Sequence, residues 1–297
     1  MIDKILTKIA VQPPYFALKD LSIEKEGVIK AKIHKEQQKN NEICVIPAAE
    51  VGRHLAILGS CSISLKMPDN LKYYYLAINA DVTRISCKND DSELYGTAET
   101  IYINKRNGYV ETNLYNSFGV HLYNVVIKYY FMQNVMFEKI FDKYKSAKIL
   151  KHFGNPYLNE IKLQDYVIKN NKLEATLGPL EPYQCSGHFP NYEAIPIAIL
   201  MHQMSLAAGK LFAHIYGDEN LKYLVLDGKI KADNLAFAGD TVKIIIYYLE
   251  NSYQNFNCLA LSINGKEYGS MRLALKPITQ ELNLEKYNPN YKIDFNN

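Results

Sequence analysis

The chain of 297 residues repeats itself at an offset of about half its length. A repeat of that period predicts two copies of one module, because it is far too long for the unit of a solenoid. Ile46-Pro47 recurs as Ile195-Pro196, and each dipeptide opens an apolar stretch: Ala48 to Ile63 in the first half, Ile197 to Phe212 in the second. Proline is tolerated at a helix start, where its missing N–H would have had no partner. Ile197, Leu200, Met201, Met204 and Ala208 then recur at helical spacing, so Pro196 to about His214 is predicted to be a buried helix. Downstream of each helix, Tyr75–Val82 lines up with Tyr223–Ile230; upstream lies a strand pair, Ser22–Ile33 in one half and Tyr166–Leu177 in the other.

The rest of the first half reads as strands. Leu71–Ser86 is rich in aromatic and branched residues, and Leu94–Asn104, Tyr109–Asn116 and His121–Met132 continue the pattern, with Lys105-Arg106-Asn107-Gly108 as a turn. The fold class is α+β, with one long helix among strands in each module. The modules are placed at 1–137 and 160–297, joined by a charged linker at 138–159.

Just ahead of the second helix lies Gly187-His188-Phe189-Pro190, and Phe237-Ala238-Gly239-Asp240 follows later. This turn puts a histidine before a helix whose first N–H groups are free to hold a carbonyl oxygen or an anion. With the Pro196 helix, these elements resemble the hotdog-fold dehydratases of 3-hydroxyacyl thioesters, over roughly Tyr166 to Pro277. The resemblance implies a double hotdog, two central helices back to back inside one extended antiparallel sheet. The chain would then be an intramolecular pseudo-dimer, with further homodimerisation open.

In that family the turn histidine is the base, a carboxylate on the other module's helix is the acid, and helix-start amides hold the thioester carbonyl. His188 matches the base. The Ile197 amide after Pro196 falls at the carbonyl position, and Phe189 flanks the substrate. The acid position falls on Arg53 in the first helix and His202 in the second, neither a carboxylate. Glu50, one turn before Arg53, is the candidate substitute, although a helix-start carboxylate meeting the dipole explains it at least as well. His188 is expected to face the first helix near Arg53 and His54, which join Ile197, Pro196, Phe189 and His202 as candidate substrate-binding residues. The other composite site has Lys39, Asn40 and Asn41 in place of the motif, and His202 reads more naturally as a core histidine.

The implied activity is a dehydratase (lyase) reaction on an acyl carrier protein or coenzyme A thioester. The alternatives are a hotdog thioesterase and a non-catalytic acyl-thioester-binding module that has lost its acid. Other classes find little support. A net charge of +3 spread along the chain argues against nucleic-acid binding. The five cysteines, scattered with no C-x-x-C pair, suggest neither zinc nor a disulfide framework, and no metal or cofactor is called for. Cys185, three residues before His188, is expected to be a small buried residue, and Asp240 to fix its loop. His34, His121, His152 and His214 match no motif and are read as structural. Without a signal-type stretch or a membrane-length apolar run, the expected location is cytoplasmic.

Overall fold

The computed structural model describes residues 2–24, 27–69, 71–146 and 154–278. Its elements follow the repeat. After a short helix α1 (Ile2–Lys8), the first half runs β1 (Lys19–Ile23), β2 (Ile29–Ile33), α2 (Ala48–Lys66), β3 (Tyr73–Arg84), β4 (Leu94–Ile103), β5 (Asn107–Asn116) and β6 (His121–Gln133). A bridging helix α3 (Asn134–Phe141) leads to the second half: β7 (Gln164–Lys169), β8 (Lys172–Leu177), α4 (Ile197–Tyr216), β9 (Tyr223–Ala232), β10 (Val242–Tyr248), β11 (Phe256–Ser262) and β12 (Glu267–Pro277).

All twelve strands form one antiparallel sheet in the order β1-β2-β4-β5-β6-β3-β9-β12-β11-β10-β8-β7. The order is a palindrome: β1 to β6 on one side correspond to β7 to β12 on the other. The halves meet where β3 pairs with β9, from Asn79 opposite Lys231 to Thr83 opposite Asp227. Burial alternates along β2, β5 and β8, as expected for strands with one face on the core and one in water. The helices supply that core. α2 lies against the strands of its own half, α4 against those of the other, and the two touch each other. A Cβ on Gly52 would sit 3.1 Å from Met201 Cε, so the missing side chain allows this close approach.

Each helix is buried along most of its length because neither has a polar stripe to present to water. Their ends are satisfied in different ways. α4 stops at Gly217 in the left-handed region (φ 66°), whose N–H donates to Ala213 and His214 carbonyls. α2 is closed by a side chain from α1, as Lys8 Nζ donates to Ser64 O at 3.0 Å and Met67 O at 2.8 Å.

The segment expected to be a charged linker differs from that reading. α3 crosses the 137/138 boundary, and Phe137 is fully buried. Its ring stacks on Tyr74 at 3.6 Å and meets Phe189 and Tyr192 edge-on. The apolar positions of this stretch were masked in the sequence by the charges around them. Residues 147–153, with His152, lie outside the described residues.

Gly59 in α2 faces Tyr129 of β6 so closely that an added Cβ would overlap the phenol, which donates to Ala56 O at 2.6 Å. Gly59→Ala is expected to lower unfolding free energy by about 1 to 3 kcal/mol through overpacking. Urea denaturation checks this, with Tyr129→Phe as a second background that removes the overlap and restores part of the loss.

Candidate active site

A cavity of about 460 Å³ runs between α2, α4 and the central strands, with His188 in its wall. The Gly187–Phe189 turn gives the histidine its place. Gly187 has φ 82° and its Cα abuts the carbonyl of Gln12, so a side chain there meets both strain and a clash. The Gln12 amide donates to Gly187 O at 2.9 Å, tying the N-terminal segment over the turn. Phe189 also sits at positive φ (57°), held there by the packing of its ring against Tyr74 and Phe137.

His188 Nδ1 lies 3.0 Å from Ala194 O. A carbonyl only accepts, so Nδ1 carries the proton and Nε2 keeps its lone pair. Tyr15 meets the ring edge-on at 4.9 Å and Phe189 stacks on it at 4.1 Å. Burial, reinforced by the Arg53 charge and opposed by the Ala194 hydrogen bond, pushes the imidazole pKa down to about 4. The group is thus a neutral base through the physiological range.

Ile197 lines the same cavity. Its amide is the first of α4 and meets no acceptor among the described residues. The equivalent amide in the first half, Ala48 N, is taken: Glu42 Oε1 accepts from it at 3.1 Å and from Arg84 at 3.1 Å. The carboxylate of Glu42 therefore plugs one helix start and leaves the other open.

Of the sequence-derived candidates, His188, Phe189 and Ile197 come together in this cavity. The others do not line it. Pro196 is the residue flanking the start of α4. Glu50 is fully buried, and its two oxygens accept from the Glu36 and Gln37 amides at 2.6 and 3.1 Å. His54 lies beside it, Nε2 to Glu50 Oε1 3.3 Å. Arg53 pairs with Glu36 at 2.5 Å and donates to Tyr15 O at 2.8 Å, its guanidinium between the rings of Tyr15 and Tyr157. A charge buried that deeply needs all of these partners, and they hold its two terminal nitrogens outside the cavity wall, while Nε meets no partner among the described residues. As a substitute acid for His188, Glu50 is corrected by this geometry: its carboxylate is committed to its own module's loop.

His202 lines a separate space of about 20 Å³ with Gln37, Tyr157 and Gln203. That space is closed by residues 156–161 much as the N-terminal segment closes over His188. Glu36, Glu50 and His54 each offer a ligand atom within 4.8 Å of the others, but all four carboxylate oxygens already accept hydrogen bonds. Cys185 is sealed, its thiol pushed up to about 12 by burial. Asp240 holds its turn through Phe237 N at 2.9 Å and Tyr268 OH at 3.1 Å.

Sequence reasoning missed Tyr15, Ser60, Tyr75 and Tyr129, which also line the cavity. None lies in a motif, and Tyr15 reaches the site through tertiary packing of a segment with no regular periodicity.

No family model and no curated protein matches the sequence. Solved structures do match in shape. An acyl-CoA thioesterase II from Mycobacterium marinum superposes with a TM-score of 0.54 at 10% identity, over 95% of this chain and 99% of that one. A conserved protein of unknown function with a hotdog fold from Alicyclobacillus acidocaldarius gives 0.53 at 8%, over 91% and 99%. The dehydratase domain from the CurK module of curacin polyketide synthase gives 0.51 at 11%, over 90% and 100%. With the palindromic sheet and paired helices, they identify the fold as a double hotdog. Among the described residues no helix is long and apolar enough to cross a membrane.

The burial of neutral His188 sets a pH dependence. Its folded pKa of about 4 lies below the ordinary value near 6.5, so the unfolded chain takes up the proton first as pH falls. The stability is complete above about 6.5 and is lost down to about 4, on the order of 3 kcal/mol at most. An NMR titration of the ring is expected to give a midpoint near 4, and a midpoint near 6.5 rules out a buried base. His188→Gln is expected to flatten the urea-measured stability over the same window.

Proposed function

We propose that this protein processes acyl thioesters, with the thioester carbonyl on the Ile197 amide and His188 as the base at the neighbouring carbon. The reaction class is dehydration of a 3-hydroxyacyl thioester, or its reverse, hydration of a 2-enoyl thioester. One observation carries the proposal: a neutral imidazole whose Nδ1 proton is committed to Ala194 O stands in the wall of an apolar cavity shared with an acceptor-free helix-start residue. Nε2 can take a proton from a carbon acidified by the carbonyl, while a helix-start amide stabilises the enolate oxygen. A volume of about 460 Å³ suits a short to medium acyl chain, and Ala56, Ile57 and Leu200 give it an apolar wall.

Lys143 and Lys266 line the same cavity with exposed side chains, in keeping with an anionic carrier, either coenzyme A or an acyl carrier protein. In this scheme the module at 160–297 holds the base and the carbonyl donor, and the module at 1–137 supplies the opposite wall. A second reading is thioester hydrolysis, with His188 activating water instead; the thioesterase identity of several structural neighbours favours it. A third, an acyl-thioester-binding module without chemistry, is favoured because no carboxylate among the described residues hydrogen-bonds His188, and Asp233, which lines the same cavity, is paired with Lys231.

Purified protein is expected to hydrate a short trans-2-enoyl thioester, followed as loss of enoyl absorbance with free thiol monitored in parallel. His188→Ala is expected to lower the rate by about a hundredfold or more, whereas Glu50→Gln changes it little beyond any loss of stability. Thiol release without enoyl loss transfers the protein to the thioesterases. Binding without either signal leaves the acyl-binding reading standing.

A further inference from the structure

Dehydration requires an acid as well as a base, and the residue at the acid position, Arg53, is turned away from the cavity into its ion pair with Glu36. What lies between Arg53 and His188 is Tyr15. Its ring meets His188 at 4.9 Å and the Arg53 guanidinium lies over it at 4.9 Å. Its own carbonyl accepts from Arg53 at 2.8 Å and that of Pro14 at 3.3 Å, so the arginine fastens the segment that carries the tyrosine. The residue is only 5% exposed and lines the cavity. Its hydroxyl has no hydrogen-bond partner among the described residues, yet it is not among the side-chain atoms sealed inside packing. Tyr15 thus brings to the cavity wall a phenol hydroxyl that no other described side chain or backbone group engages.

We infer that Tyr15 is the proton donor for the departing hydroxyl, in place of a carboxylate where α2 carries Arg53. The inference rests on the dehydration reading above. In the dehydrating direction His188 Nε2 takes the C2 proton, the C2–H pair becomes the second C2–C3 bond, and the C3–O bond breaks. The oxygen leaves as water with the phenolic proton of Tyr15. The proton on His188 returns to the phenolate through that water, so both groups are restored and no oxidant or reductant enters. Burial holds the phenol up at about 12 despite Arg53, so it keeps its proton at neutral pH and still yields it to a leaving hydroxide, a far stronger base. Arg53 acts as a positioning residue: it touches the segment and not the reacting atoms.

The test is a change of leaving group. Tyr15→Phe and His188→Ala are assayed on a 3-hydroxyacyl thioester and on the 3-chloroacyl thioester of the same chain length, since chloride departs without a proton. Tyr15→Phe is expected to lose about a hundredfold in kcat on the hydroxy substrate with KM little changed, and to lose less than about fivefold on the chloro substrate. His188→Ala is expected to fail on both. An equal loss by Tyr15→Phe on the two substrates would mean a structural role and overturns the inference, as does full activity on the hydroxy substrate. Wild-type protein inactive on both, or His188→Ala active on both, overturns the dehydration reading itself, and the role of Tyr15 goes with it.

Discussion

The pairing of β3 with β9 is the contact on which the rest of the arrangement depends. Five residue pairs, from Asn79–Lys231 to Thr83–Asp227, turn two six-stranded sheets into one. Joined edge to edge, the sheets have no free centre strand, and their helices are forced back to back within van der Waals reach at Gly52 and Met201. Only then does the loop before α4 face the flank of α2. His188 comes from one half of the chain and Ala56, Ile57 and Ser60 from the other, so the cavity exists because the sheet is continuous.

The two halves share a path but not a chemistry. Asn40 and Phe189 both occupy positive φ in their loops, and both loops end in a proline that starts a helix. In the second half the loop delivers an imidazole and leaves the first helical amide open. In the first half Glu42 occupies that amide with Arg84 as its counter-charge. Burial raises the Glu42 pKa to about 7 against the pull of Arg84, a mark of how strongly this closed corner excludes water. Likewise Arg53 of α2 and His202 of α4 differ in their settings, one locked in an ion pair and one beside a space of about 20 Å³.

Much of this was legible in the sequence, for physical reasons. The Ile-Pro dipeptides and the helical spacing after them fixed both long helices, because a proline start and an apolar period are local properties. The alternation of Ser22–Ile33 and Tyr166–Leu177 gave both outer hairpins on the same grounds. His188 was visible through the resemblance carried by its Gly187-His188-Phe189-Pro190 turn, where the glycine takes φ 82°. What could not be read was whatever depends on which side of a buried helix meets which neighbour. Glu50 and Arg53 lie three residues apart near the start of α2 and both meet the loop at Glu36, but Arg53 also lies over the ring of Tyr15. Counting placed both beside His188; the charge of Arg53 does reach the imidazole, but counting does not resolve direction on a helix buried all round, and the Glu50 carboxylate turns to the loop. Tyr15 and α3 escaped because their roles come from distant contacts, with Gly187 and Arg53 in one case and with Tyr74 and Tyr192 in the other.

The plugging of one helix start by Glu42 has a consequence for stoichiometry. A hotdog dimer built from two separate chains presents two equivalent sites and loses both when dilution separates its subunits. Here the partner wall is tethered by the chain itself, so the site persists at any concentration. Under the proposed function, the one of the two long-helix first amides left open among the described residues gives each chain one carbonyl site, where a symmetric two-chain dimer would offer two.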